Sequence, residues 1–177
     1  GAGFCVFNDL AYASRALIEL NLAKRVLIFD CDVHQGDGTA RILANHKNIF
    51  TCSVHCTENY PAKKAKSDLD MPIPIGAGDE QYLALLTQCL SKIDQTNFIP
   101  DLVIYDAAVD VHFKDKLGLL KMTSGGIEAR DRHVLSHFKK RQIPIATTMG
   151  GGYGDSSEEV ANRHRIIFKV VESIFME

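Results

Sequence analysis

Val26-Leu27-Ile28-Phe29 followed by Asp30-Cys31-Asp32-Val33-His34-Gln35-Gly36-Asp37-Gly38 is the stretch that decides the fold. Four consecutive apolar residues read as a short strand buried on both faces, of the kind found in parallel sheets. Two carboxylates and an imidazole then fall at alternate positions, and in extended backbone alternate residues point the same way. Asp30, Asp32 and His34 are therefore candidates to face one pocket. An Asp/His donor set suits zinc or another borderline divalent ion, whereas magnesium favours all-oxygen surroundings. The plainer alternative is a solvated turn formed by Gly36 and Gly38. Three titratable groups directly after a buried strand argue against it.

The same alternation of strand and helix extends outward in both directions. Asn8 is placed to cap a helix running to about Lys24, with Leu10, Leu17 and Leu20 on its apolar face. A short helix is expected near 39–44 and a second strand at 49–54. The segment from His55 to Gly78 carries three prolines and little periodicity, and reads as a long functional loop. Asp79 is placed to cap a helix through about Ile93, and 102–105 reads as a third strand. Thr123 begins a helix to about Lys140, 143–148 reads as a fourth strand, and Ser156 or Ser157 begins the last helix. Strands alternating with helices predict a parallel α/β sheet flanked by helices. Ligands of such sheets bind beyond the carboxyl ends of the strands. Four polar motifs converge on that rim: 30–38, Ser53-Val54-His55, 106–115 and the glycine run at 150–154.

Two ligands from one strand end do not close a catalytic metal site, which usually has three protein ligands and an open position. Asp110, after a neighbouring strand, is the best third ligand, and Asp106 and His112 are weaker candidates. Gly150-Gly151-Gly152 lacks the Gly-Lys-Ser/Thr ending of a phosphate loop, which excludes nucleotide binding there. The glycines, Gly152 among them, let backbone approach a ligand closely and present the Tyr153 hydroxyl, a group able to stabilise a developing oxyanion.

Composition narrows the rest. The chain has 177 residues, expected to form a single domain over 1–177, and 46% of them are hydrophobic, enough for a sizeable core. A formal net charge of −2 argues against nucleic acid or an anionic membrane as partner. Lys63, Lys64 and Lys66 form a basic cluster read as a solvated loop. No stretch approaches the roughly 20 apolar residues of a transmembrane helix. Five cysteines without a CxxC pair fit thiols of a reducing cytoplasm, or of a nucleus if the source is eukaryotic. Cys52 and Cys56 have loose metal-ligand spacing, but Cys52 sits in an apolar strand pattern that favours burial. The oligomeric state is not legible.

Taken in order, Gly3-Phe4-Cys5 with Asn8-Asp9, Asp30-x-Asp32-x-His34-x-Gly36-x-Gly38, Ala107-x-Val109-Asp110 with Asp115-x-Leu117-Gly118, and Gly150-Gly151-Gly152-Tyr153 resemble the zinc-dependent histone deacetylase family. The resemblance spans essentially the whole chain, and His34-Gln35-Gly36 resembles class IV and bacterial members more than class I. It implies an arginase/deacetylase-type α/β fold. It implies zinc on Asp32, His34 and Asp110, and Tyr153 stabilising the tetrahedral oxyanion of amide hydrolysis. The substrate it implies is an acetyl-lysine protein or a small acetylated amine. Gly3 and Phe4 match one wall of the family's acyl-lysine tunnel and Tyr60 the other. Asp30 and Asp37 match the carboxylates that orient two catalytic histidines. Asp30, Asp32, His34, Ser53 and Val54 match a structural potassium site formed largely by main-chain oxygens.

The chain departs from the family pattern at informative places. The family carries an adjacent histidine pair shortly before the Gly-Phe-Cys block. This sequence begins at that block, and its seven histidines include no adjacent pair. The expectation is an N-terminally truncated domain that lacks the general base. Ala108 stands where glycine or serine is usual, and Ala62 follows Pro61 in place of glycine. Two other readings compete with a zinc deacetylase. One is a binding module that keeps zinc and the acyl-lysine pocket without hydrolysis. The other is a magnesium-dependent, haloacid-dehalogenase-like phosphatase with Asp30 as nucleophile, which would need neither His34 nor the Gly-Gly-Gly-Tyr block.

Overall fold

The computed structural model describes residues 2–176. Five parallel strands, β1 (Val26–Asp30), β2 (Ile49–Cys56), β3 (Leu69–Ile73), β4 (Leu102–Asp106) and β5 (Ile145–Thr148), lie in the order β3-β2-β1-β4-β5. Five helices connect and flank them: α1 (Asp9–Glu19), α2 (Asp37–Leu43), α3 (Asp79–Asp94), α4 (Ser124–Lys140) and α5 (Ser157–Phe175).

β1 is wholly buried because helices cover both faces of the sheet. Leu27 and Phe29 point into the larger core, shared with Leu86 and Leu90 of α3, Val134 and Phe138 of α4, and Ile167 and Val170 of α5. Val26 and Ile28 point the other way, into two smaller clusters beneath α1 and α2. The strand alternation of period 2 therefore serves two cores at once, which is why the sequence shows a continuous apolar run. From β1 the chain moves outward to β2 and β3, then crosses back to β4 on the other side of β1. The order reverses between β1 and β4, and such a switch point opens a crevice at the strand carboxyl ends.

Asn8, Thr123 and Ser156 cap their helices as the sequence predicts, accepting from the backbone N–H of Ala11, Gly126 and Glu159. α1 ends at Glu19, short of Lys24. Asn21 takes a left-handed conformation (φ 56), which asparagine tolerates at helix ends, and Leu20 is left exposed. α2 starts at Asp37, two residues before the expected Thr39. Gly78, not Asp79, is the N-cap of α3. The Asp79 carboxylate turns to α4 and accepts from the Thr123 N–H (2.8 Å) and hydroxyl (2.6 Å). The expected loop 55–78 contains β3, where Met71 and Ile73 face inward at period 2. Asp70 and Pro72 mask that pattern, and an edge strand tolerates the missing proline N–H. Lys64 is tied down rather than solvated, donating to the carbonyls of Asn59 and Pro61 (2.7 Å to the latter). Among the described residues no helix is long and apolar enough to cross a membrane.

Candidate metal centre

β1 ends on Asp30, and the backbone then turns so that Cys31 and Val33 enter the core while Asp32 and His34 stay at the surface of the crevice. Short hydrogen bonds fix this turn. Asp30 Oδ1 accepts from the Asp32 N–H (2.9 Å), and Asp32 Oδ1 accepts from the His34 N–H (2.8 Å). Across the switch point, the fully buried Asp110 reaches over from the loop after β4. Its Oδ1 accepts from the Val33 N–H (2.9 Å). His34 Nδ1 then lies 2.9 Å from Asp32 Oδ1 and 3.2 Å from Asp110 Oδ2. Ligand atoms of Asp32, His34 and Asp110 all lie within 4.8 Å of one another, and among the described residues no other histidine, cysteine or carboxylate group forms such a cluster. Asp30 stays outside it as the support of the Asp32 peptide. Asp106 and His112, the weaker candidates, do not join it: His112 lies 3.2 Å from the Ser124 hydroxyl and accepts from the Lys114 N–H.

Burial and mutual repulsion of its carboxylates dominate the electrostatics of the crevice. Burial and then the Asp32 charge push the Asp110 carboxyl up to about 7. Burial would lower the His34 imidazole, but hydrogen bonds to Asp110 and Asp32, with their charges, raise it to about 10. Hydrogen bonds from His34 and Asp110 hold Asp32 below the usual carboxylate range against the pull of burial. Asp30 and Asp106 are both pushed up, first by burial and then by the neighbouring carboxylates. Four carboxylates thus share one crevice with one imidazole, and a divalent ion would neutralise the excess.

The glycines of two loops are there because nothing larger fits. A Cβ on Gly151 would fall onto Asp110 Oδ2 and 2.5 Å from Asp32 Oδ2, while the Gly151 N–H donates to that same Asp32 oxygen (2.9 Å). A Cβ on Gly118 would overlap the Asp110 carbonyl. The donor set, its spacing and this cradle fit a divalent ion of zinc's ligand preference.

Tyr153 follows the glycine loop. Its N–H donates to Asp115 Oδ2 (2.7 Å), and Asp115 Oδ1 accepts from the N–H groups of Leu117 and Gly118 (2.9 Å each). Burial, then the charges of Asp32 and Asp110, push its phenol up to about 12, so it stays protonated. Gly3 and Phe4 form a turn with positive φ (57 and 63), and the Phe4 ring stands 5.8 Å from that of Tyr153. Tyr60 is half-exposed on the loop after β2. Gly152 lies against Val109, Val160 and His164. Asp37 pairs with Arg41 one helical turn away. Ser53 sits beside Asp30 in the β1–β2 register and hydrogen-bonds His55 Nδ1 (3.0 Å), with Val54 buried next to it. Cys52 lies 3.3 Å from Cys89, and Cys56 contacts Glu58, so these two cysteines form no joint ligand pair.

Asn59 is a site residue that sequence reading missed. Its amide nitrogen is 3.4 Å from His34 Nε2 and 2.8 Å from the Leu117 carbonyl, while its oxygen accepts from the Leu119 N–H. No periodicity marks an asparagine in an irregular segment whose partners lie about 25 and 60 positions away.

The fold and this cluster define a parallel α/β domain with a carboxylate–histidine centre at its switch point. The chain belongs to the family described as the histone deacetylase domain, whose model matches residues 1–169. An uncharacterized protein of Picosynechococcus sp. is 43% identical over 175 residues, covering 99% of this chain and 58% of that protein. Histone deacetylase 2 of Arabidopsis thaliana is 34% identical over 164 residues, covering 90% of this chain and 42% of its own length. The chain thus spans about half the length of the curated relatives it matches. Among solved structures, a histone deacetylase homolog from Aquifex aeolicus superimposes with a TM-score of 0.82 at 21% identity, over 97% of this chain and 47% of that one. An acetylpolyamine aminohydrolase from Burkholderia pseudomallei does so with a TM-score of 0.81 at 22% identity, over 97% and 51%. These likenesses show the arginase/deacetylase fold.

Proposed function

We propose that this chain carries the metal-binding and oxyanion-stabilising part of a zinc-dependent deacetylase acting on acylated lysine side chains or small acetylated amines. The observation that carries this reading is the convergence of Asp32, His34 and Asp110 within 4.8 Å at the β1–β4 switch point. A zinc ion held there would supply Lewis acidity to the acyl carbonyl and to a water molecule. The Tyr153 phenol, protonated across the physiological range, donates a hydrogen bond to the carbonyl oxygen as it gains charge. Phe4, whose ring stands 5.8 Å from that of Tyr153, packs with Gly3 against one side of the aliphatic part of the substrate and Tyr60 forms the other wall, and Gly152 gives it room beside Tyr153. Asp30 and Asp37 match the carboxylates that would orient a catalytic histidine pair, which these 177 residues do not contain. Asp30, Asp32, His34, Ser53 and Val54 would hold a structural potassium ion, largely through main-chain oxygens.

A second reading is acyl-lysine binding without hydrolysis. The sequence contains no adjacent histidine pair, so within these 177 residues the base that would take the water proton has no candidate of the family's kind. Metal analysis of the purified protein and of Asp110→Ala, paired with deacetylation of an acetyl-lysine peptide, tests both. Stoichiometric zinc that Asp110→Ala abolishes is expected. A zinc-free protein, or unchanged metal content in the variant, would sink the metal assignment. Turnover selects hydrolysis, whereas hydroxamate binding without turnover selects the second reading.

A further inference from the structure

Behind the metal centre, away from the crevice, the guanidinium of Arg130 on α4 is fully buried. We propose that Arg130 is a positioning residue for both carboxylate ligands, because its guanidinium holds the peptide planes that lead into Asp32 and Asp110. The proposal rests on the metal reading above.

Arg130 Nη1 donates to the Ala108 carbonyl at 2.7 Å and reaches the Cys31 carbonyl at 3.5 Å. Cys31 immediately precedes Asp32, and Ala108 lies two residues before Asp110. Each of these peptides is also held at its other end. The N–H of the Cys31–Asp32 peptide donates to Asp30 Oδ1 (2.9 Å), and that of the Ala108–Val109 peptide donates to the Gly151 carbonyl (2.7 Å). A peptide plane held at both oxygen and nitrogen resists swivelling, which places the Asp32 Cα directly and the Asp110 Cα through Val109. Cys31 and Ala108 are themselves buried, leaving these oxygens no ready donor in water.

The guanidinium is anchored in turn. Its Nε donates to Asp131 Oδ1 (2.9 Å), and that oxygen also accepts from the Tyr105 hydroxyl of β4 (2.6 Å). Only a planar fork addresses a carboxylate on one edge and two carbonyls on another, which a lysine ammonium does not reproduce. Two loops, after β1 and β4, thereby meet on one side chain. A purely structural ion pair between α4 and the sheet would affect stability and leave the metal geometry alone, and this difference is measurable.

The test compares wild type with Arg130→Lys and with Leu135→Ala, a buried residue of α4 in the main core. The readouts are zinc affinity by competition with a chromophoric chelator, the d–d absorption of the cobalt(II)-substituted protein, and Tm. Arg130→Lys is expected to weaken zinc binding about 10- to 100-fold and to alter the cobalt spectrum. Leu135→Ala is expected to lower Tm with both metal readouts unchanged. Wild-type affinity and spectrum in Arg130→Lys overturn the proposal, as does equal weakening in Leu135→Ala. If Arg130→Lys does not fold, the pair Arg130→Met/Asp131→Leu, which leaves no unpaired buried charge, is judged by the same criteria. A wild-type protein that takes up no zinc overturns the metal reading and this inference together. A zinc-loaded wild type with unaffected variants overturns the positioning role alone.

Discussion

The proposed ligand cluster of Asp32, His34 and Asp110 and the proposed aromatic wall of Phe4 and Tyr60 border the same end of the sheet but are held in opposite ways. Each of the three follows a strand end by a few residues; backbone N–H groups tie the carboxylates, Val33 N–H to Asp110 and Gly151 N–H to Asp32, and the two carboxylates hold the His34 ring. The wall residues sit on turns, with Phe4 85% and Tyr60 52% exposed. Hydrogen bonds just beyond the strand ends set the first group, whereas local turns set the second. Substitutions at the cluster should therefore act on metal and stability together, and those at the wall on ligand affinity alone.

The largest effect is expected at Gly151. Gly151→Ala drives a Cβ between the carboxylates of Asp110 and Asp32, which must separate. Loss of bound zinc is expected, with a stability cost of about 1–3 kcal/mol from overpacking. Metal analysis and thermal unfolding check both, and a zinc-replete variant would break the claim that this glycine forms the cradle.

Proton competition should come next. His34 Nδ1 must lose its proton to bind a metal, and that proton is held up to about pH 10 by Asp110 and Asp32 in the metal-free protein. One released proton means roughly a tenfold loss of zinc affinity per pH unit on acidification. The sign for stability is fixed as well. The folded imidazole lies above its ordinary 6.5, so its contribution is complete below that pH and disappears as pH rises towards about 10. Asp110 acts in the same sense between its ordinary 3.8 and about 7, because the folded state keeps a proton that the unfolded chain has released. The gap in Tm between zinc-loaded and metal-free protein should therefore widen from pH 6 to 10. A constant gap would show that the proton is not shared in this way.

How much of this was legible in the sequence follows from the same contrast. Asp32 and His34 stand at alternate positions after an unmistakable buried strand, and Asp110 follows the next such strand on the rim. Their convergence needed only the strand order. Asn59 and Arg130 were illegible because their roles are bonds to backbone atoms and side chains far away in sequence, Arg130 reaching 99 residues back to Cys31. β3 was missed for a local reason, since Asp70 and Pro72 break its period and Met71 and Ile73 alone carry it. The early end of α1 was missed because Leu20 fits the apolar spacing, while Asn21 turns the chain before that spacing counts.

Tyr153 stands between the two regions, with its backbone tied to Asp115 and its ring against Phe4. Tyr153→Phe removes only the hydroxyl, so zinc content should hold. A hydroxamate, anionic where the oxyanion would develop, should bind more weakly by about 1.5–3 kcal/mol, as for a hydrogen bond to a charged group. Titration of the ligand into the zinc-loaded protein measures this, and equal affinity would remove Tyr153 from the oxyanion role.

The smallest effect belongs to Phe4. With its ring 85% exposed, Phe4→Ala should change stability by less than about 0.5 kcal/mol. No hydrogen bond links its side chain to the ligand set, so zinc affinity should be unchanged. What the ring offers is apolar area beside Tyr153, and a ligand lying against it buries that area only when bound. Affinity for a hydroxamate with a long aliphatic chain should therefore fall more than affinity for acetohydroxamate, which is too short to reach the ring. If both ligands weaken equally, Phe4 acts by holding Tyr153 at 5.8 Å rather than by touching substrate. The wall would then belong to the ordered half of the site.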